Sequence, residues 1–394
     1  MKDFIKNIKF NKMYTLGIDA SNIRSGGGVT HLIEVLRNAN PESYGFSKVI
    51  IWSNKATLSK IDDKDWLVKI HDKHIDGSLL RRIYWQRFCL KKNIQSLGCN
   101  LLFVPGGLDK SSFKPMVTMH RNLLPFEFQE LMRYGFSFET IRLLILRFTQ
   151  ISSFKRANGV IFLTQYAKNS VLKITGELTG NTVLIPHGVD ERFFVRPKKQ
   201  KNVNDFDKKT PVRLIYVSSI ELYKHQWNVV EAVSILHNAG IHVSLDLIGA
   251  PQYPAAVKRL QLAMNKFDPH GQYIHYRGSI DHDAIHKEYL KADIAVFASS
   301  CETFGQILIE AISSGLPVAC SNISAMPELL GDTGAFFDPM DPESIAGALK
   351  ILIDSAELRS KNASNSFELA RSFSWKRCSN DTFAFLKSCL TIDI

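Results

Sequence analysis

Short apolar runs alternate with longer stretches in which apolar positions recur at steps of three and four. The short runs predict strands at 14–18, 49–52, 101–104, 116–119, 159–163 and 183–185, then at 212–217, 242–248, 273–276, 294–298 and 317–320. Between them lie helical patterns such as 226–238, where Val229, Val233 and Leu236 share one face and Gly240 follows the end. Two further helices are expected at 357–371 and 375–389. Strands alternating with helices imply parallel sheets covered on both faces. The rhythm stops at the charged stretch 196–211 and then restarts, so two doubly wound α/β domains are predicted. Ligands in such sheets bind beyond the carboxyl ends of the strands.

The length of 394 residues, 45% of them hydrophobic, suits two cores better than one. The six cysteines, at 89, 99, 301, 320, 378 and 389, form no C-x-x-C pair and read as buried thiols of a reducing compartment. The start, M-K-D-F-I-K-N-I-K-F-N-K, lacks the apolar core of a signal peptide, and no run is long enough to span a membrane. Residues 1–190 hold 27 Lys and Arg against 15 Asp and Glu, whereas residues 191–394 hold 22 against 23. The first half is therefore expected to face something acidic: a membrane surface, a nucleic acid or a phosphorylated acceptor.

Two stretches in that half, 79–92 and 137–156, mix basic with apolar residues in a helical pattern. Such a helix can lie on an anionic bilayer, or it can pack its apolar stripe on the sheet and leave its charges in solvent.

Four places carry candidate chemistry. In Cys301–Leu316, a strand leads through a polar turn holding Glu302 into a helix holding Glu310, and Gly305 opens the backbone to a ligand. The unpaired N–H groups at such a helix start favour phosphate. Gly26, Gly27 and Gly28 form a loop feeding a helix, which serves equally as a mobile surface loop or as an anion loop. His120 ends a strand, a position that is often purely structural. Asp281-His282-Asp283 is a D-x-D at a helix start, readable as a cap or as a divalent-metal site, with capping the more economical.

The run E-T-F-G-Q-I-L-I-E-A-I-S-S-G-L-P-V resembles the E-x7-E signature of the retaining glycosyltransferases of family 4. Glu302, Phe304, Gly305, Glu310, Ala311, Gly315, Pro317 and Val318 each meet a fixed position of that pattern. Ile185-Pro186-His187-Gly188-Val189-Asp190 resembles the P-x-G-V-D ending of the family's first domain, and H-R-N-L-L-P-F resembles the segment where many members place a histidine beside the donor sugar.

The resemblance implies a GT-B architecture, two Rossmann-like domains facing a cleft. They would cover 1–195 and 212–371, with 196–211 as linker or exposed loop and 372–394 as a terminal helix crossing back. It implies a donor site built from Gly27, Gly28, Ser219, Arg277, Phe304, Gly305, Gln306, Ile307 and Glu310, and catalytic roles for His120, Glu302 and Lys224. The family usually has G-R where this chain has Ser218-Ser219, so the arginine that joins the lysine on the donor diphosphate is absent.

The implied activity is metal-independent, cofactor-free transfer, with retention, of a hexose-type sugar from a UDP- or GDP-sugar to a glycan or lipid-linked acceptor. A bacterial surface polysaccharide such as an O-antigen or capsule would be the product, made at the cytoplasmic face of a membrane by a peripherally bound protein. No nucleic-acid partner is expected. Two rival readings are a nucleotide-sugar 2-epimerase of the same shape and a non-catalytic basic binding protein.

Overall fold

The computed structural model describes residues 13–390. The N-terminal stretch 1–12 read above and the last four residues lie outside the described residues. The first lobe is a seven-stranded sheet of β1 (Tyr14–Asp19), β2 (Phe46–Ser53), β3 (Leu67–His71), β4 (Leu101–Val104), β5 (Met116–Met119), β6 (Gly159–Phe162) and β7 (Asn181–Leu184). Its order is β3-β2-β1-β4-β5-β6-β7, parallel throughout. The second lobe contains β8 (Val212–Val217), β9 (Val243–Ile248), β10 (Ile274–Tyr276), β11 (Ile294–Phe297), β12 (Val318–Ser321) and β13 (Ala335–Phe337), in the order β10-β9-β8-β11-β12-β13.

The central strands β4, β5, β6, β11 and β12 are buried along their whole length, which is why they read as unbroken apolar runs rather than alternations. Each sheet reverses its winding at one point, between β1 and β4 and between β8 and β11. The two crevices so formed open toward each other.

Contacts across the cleft hold the lobes together. Thr164 Oγ1 donates to the carbonyl of Thr303 at 2.9 Å, and Tyr134 Oη to Glu221 at 3.1 Å. Glu328 of the second lobe accepts the N–H groups of Gln165 and Tyr166 at 2.7 Å each, so its carboxylate meets the positive end of the first-lobe helix Gln165–Thr175.

The terminal helix Trp375–Ser388 crosses back: Ser379 Oγ donates to the carbonyl of Val35 at 2.8 Å, and Phe383 packs on Phe46 with ring centroids 6.1 Å apart. The crossing strand touches Val189 beside Ser374. There the backbones approach so closely that a Cβ on Gly188 would lie 2.1 Å from the nitrogen of Trp375, which leaves glycine as the residue that fits.

Two expected segments differ from their sequence reading. The start of the expected linker or exposed loop 196–211 is packed rather than free: Lys198 reaches Asp293 at 2.9 Å, and just before it Val195 N–H donates to the carbonyl of Ser313 at 3.0 Å. The carbonyl of Lys201 is taken by Arg359, a guanidinium only 1% exposed that also needs the carbonyls of Leu352 and Ile353, each at 2.6 Å. The stretch 79–92 is not one helix either. A π-helical turn, Trp85–Cys89, interrupts it and brings Gln86 inward, where its amide donates to Asp19 at 2.6 Å.

Candidate functional site

A cleft of about 700 Å³ runs between the lobes and is lined from the carboxyl ends of strands of both sheets. That volume lies within the range of small-molecule sites. On the second-lobe side, β11 delivers the turn 302–305 and the helix Gln306–Ser313. Gly305 sits at φ +76°, a left-handed conformation that turns the chain abruptly into the helix, and the first helical residues Gln306 and Ile307 line the cleft. Glu302, Phe304, Gly305, Gln306, Ile307 and Glu310 all line it, which puts both carboxylates on the cleft wall, one before the helix start and one on the helix.

Each carboxylate is already partnered. Glu310, with 5% of its side chain exposed, accepts from His282 Nε2 at 3.1 Å, and that bond raises the His282 pKa above its ordinary value. Glu302 is ion-paired with the Lys224 ammonium, which is buried and lies over the rings of Tyr223 and Phe297 at 5.2 and 5.1 Å. Lys224 therefore stands behind Glu302 rather than on the cleft wall, drawn there by the one carboxylate it can neutralise in low dielectric.

Other sequence-predicted residues divide sharply. Gly27 and Ser219 line the cleft. Gly28 does not; its carbonyl accepts from Arg121 Nη1 at 3.3 Å. Arg277 turns away from the cleft toward Asp246 at 3.5 Å, and Ser279 and Ile280 occupy the wall in its place. His120 also lies off the cleft. Its ring is enclosed by Phe126, Phe154 and Phe162, Nε2 meets the carbonyl of Asn122 at 3.0 Å, and burial pushes its pKa down to about 4. This is a neutral core imidazole without access to the cleft.

The D-x-D resolves differently from both of its sequence readings. The Asp281 side chain makes no capping bond, Asp283 pairs with Arg192, and only the central His282 faces the cleft. Neither carboxylate of the motif lines the cleft.

Several cleft residues were not singled out from sequence, among them Arg121, His187, His282 and Trp375. Arg121 and His187 lie inside the two motifs quoted above, so position in a motif was the only available signal. Behind the wall, the donor atoms of His31, His187 and Cys378 lie within 4.8 Å of one another, all buried. Burial holds both imidazoles well below their ordinary pKa and pushes the thiol up to about 12. Among the described residues, both ring nitrogens of His31 and Nδ1 of His187 have no hydrogen-bond partner.

Two lobes of parallel sheet with a cleft at their facing carboxyl ends define the class: this is the GT-B glycosyltransferase fold. Residues 197–368 match the model of the family of glycosyl transferases group 1.

Among curated relatives, the O-antigen chain mannosyltransferase B of Escherichia coli is 32% identical over 110 residues, covering 28% of this chain and 29% of that protein. A GDP-mannose-dependent alpha-(1-6)-phosphatidylinositol dimannoside mannosyltransferase of Mycobacterium tuberculosis (strain ATCC 25177 / H37Ra) is 27% identical over 209 residues, covering 52% of each. The chain thus spans about half or less of the length of these relatives.

Among solved structures, a glycosyltransferase from Rickettsia africae ESF-5 matches with a TM-score of 0.70 at 17% identity, covering 97% of this chain and all of that one. Anabaena Alr3699/HepE in complex with UDP and glucose matches at 0.69 and 16%, covering 95% of this chain and all of that one.

Proposed function

We propose that the protein is a retaining, metal-independent glycosyltransferase that moves a hexose-type sugar from a nucleotide-diphosphate donor to a glycan or lipid-linked acceptor in bacterial surface-polysaccharide synthesis. One observation carries this reading: Glu302 and Glu310 line a donor-sized cleft together with Gly305, Gln306 and Ile307, the residues that open a helix. The names of the relatives, an O-antigen mannosyltransferase and a GDP-mannose-dependent one, favour mannose as the sugar and guanine as the base.

In this reading Glu310 takes the ribose hydroxyls, Glu302 takes hydroxyls of the sugar, and the helix start takes the diphosphate. The bond from the anomeric carbon to the diphosphate oxygen breaks while the acceptor oxygen bonds to the same face. The acceptor proton passes to the leaving phosphate oxygen. Preorganised N–H dipoles stabilise the charge that grows on that oxygen, and neither carboxylate acts as a nucleophile.

The test is to incubate the protein with GDP-mannose, UDP-glucose and related donors in EDTA without acceptor. Slow release of free nucleotide from one donor is expected; an epimerised nucleotide sugar would move the assignment to an isomerase.

The acceptor side faces a membrane in this reading. The helix Phe138–Arg156 buries Leu143 and Phe154 against the lobe but presents Phe138, Ile141, Ile145 and Phe148 outward, 81%, 57%, 59% and 69% exposed. Their spacing of three, four and three puts them on one stripe. Arg147, Lys155 and Arg156 share this helix. Among the described residues no helix is long and apolar enough to cross a membrane, so insertion would be interfacial.

Co-sedimentation with phosphatidylglycerol vesicles is expected. Replacing Phe138, Ile145 and Phe148 by Ser together should weaken it more than tenfold, since burying each such side chain stabilises by about 1.5–3 kcal/mol. Equal pelleting with and without vesicles would remove the membrane from the proposal.

A further inference from the structure

A donor diphosphate is a concentrated anion, and among the described residues that line the cleft the second lobe offers it no uncommitted cation. Ser219 stands where the family carries an arginine, Lys224 is paired with Glu302, and His282 is paired with Glu310. The helix start supplies only partial charge. Three other cations line the cleft, and all belong to the first lobe: Arg24, Lys60 and Arg121.

Arg24 and Lys60 are solvent-exposed at the rim, where water and salt screen them, and Arg24 is already donating to the carbonyls of Asp76 and Gly77 at 3.2 and 3.3 Å. Arg121 differs. It is largely shielded, and among the described residues its guanidinium makes one hydrogen bond, to the carbonyl of Gly28 at 3.3 Å, and enters no ion pair. Burial pushes its pKa down to about 10, which leaves it charged at neutral pH.

Its surroundings are arranged for an anion. The Arg121 carbonyl accepts from Thr303 Oγ1 at 3.4 Å, which sets the residue against the turn that opens the helix Gln306–Ser313. Its guanidinium meets Gly28 in the first turn of the helix Gly27–Arg37, so the guanidinium and the starts of both helices line the same cleft. The neighbouring imidazoles of His31 and His187 are neutral, and Arg121 contributes to keeping them so. The guanidinium opposes a metal cation at the His31, His187 and Cys378 cluster for the same reason.

We propose that Arg121 is the missing second cation of the donor site, reaching the diphosphate from the lobe opposite to the one that holds the nucleoside. This rests on the transferase reading and deepens it: donor charge, and not nucleoside alone, then ties the two lobes together.

The experiment is calorimetric titration in EDTA with GDP, UDP, guanosine and uridine. It compares the unmutated protein with Arg121→Gln, Arg121→Lys, and Arg24→Gln combined with Lys60→Gln. Arg121→Gln is expected to bind the diphosphate at least 30-fold more weakly while nucleoside affinity stays within twofold. Arg121→Lys should fall between, and the rim double variant should change by less than threefold at physiological salt.

Adding Ser219→Arg to Arg121→Gln should recover most of the loss, a rescue that a merely structural role would not give. Diphosphate affinity within twofold of the unmutated protein in Arg121→Gln overturns the assignment while leaving the transferase reading intact. Absence of nucleotide binding by the unmutated protein overturns both. Should Arg121→Gln fail to fold, phenylglyoxal modification of the unmutated protein decides. Arg121 should be protected by the diphosphate and not by the nucleoside, and equal modification in both overturns the proposal.

Discussion

Replacing Lys224 by Met is expected to destabilise the protein by about 3 kcal/mol and to lower kcat/KM for the donor at least 100-fold. Lys224 and Glu302 form an ion pair with side-chain exposures of 6% and 17%, and removing one member leaves the other charged in a poorly hydrated site. Breaking a buried pair costs about 3–5 kcal/mol, and the partial opening of Glu302 to the cleft places this case at the lower end.

The loss of activity has a separate origin. With Lys224 gone, the bare carboxylate faces the space assigned to the diphosphate and repels it. The double variant Lys224→Met with Glu302→Gln separates the two effects. It should recover most of the stability in urea melts and part of the donor affinity, but not turnover, because the charge-assisted bond to the sugar hydroxyls is gone. Full recovery of turnover in the double variant would remove Glu302 from the chemistry.

The second large effect is expected at Glu310. Its replacement by Ala should weaken binding of the nucleoside diphosphate by about 100-fold. Hydrogen bonds to a charged group contribute about 1.5–3 kcal/mol each, and losing both ribose bonds against the bond to His282 leaves a net of about 3 kcal/mol.

The same variant carries a titration signature. The largest upward influence on His282 is its hydrogen bond to Glu310, so the His282 pKa should fall in the Glu310→Ala protein, which proton NMR would read. The folded value lies above the unfolded one. The pair therefore stabilises fully below about pH 6.5, the unfolded histidine value, and its contribution fades as pH rises through the raised folded value. The stability gap between the two proteins should narrow from pH 6 toward pH 9. Unchanged nucleotide affinity in the variant would detach Glu310 from the ribose.

Much of the fold was legible because buried parallel strands advertise themselves as apolar runs. The strands that escaped notice are edges. β3 is half-exposed and reads L-V-K-I-H, and β13 is three residues long, so neither needs an unbroken apolar sequence. The π-helical turn at Trp85–Cys89 was likewise invisible, since what selects it is the partner that Gln86 finds in Asp19, 67 residues away.

The helix Phe138–Arg156 shows the limit of periodicity. A stripe was readable, but the sequence does not say that two apolar faces exist or which one the sheet takes.

At the site, Glu302 and Glu310 were legible through spacing within one continuous turn and helix, whereas the Lys224–Glu302 pair joins residues 78 apart and is set by the fold. His120 and Arg121 make the point most sharply. They are adjacent, just beyond β5, and successive side chains of an extended segment point to opposite sides. The histidine goes into an aromatic cage and the arginine into the cleft, so a motif that placed function at His120 was one residue from the side chain that lines the cavity.

The most direct measurement is a crystal structure of the protein with GDP or UDP bound. The diphosphate is expected within about 3 Å of the backbone N–H groups of Gln306 and Ile307, with the ribose on Glu310. A nucleotide bound elsewhere, or this cleft empty at a saturating concentration, would contradict the donor site.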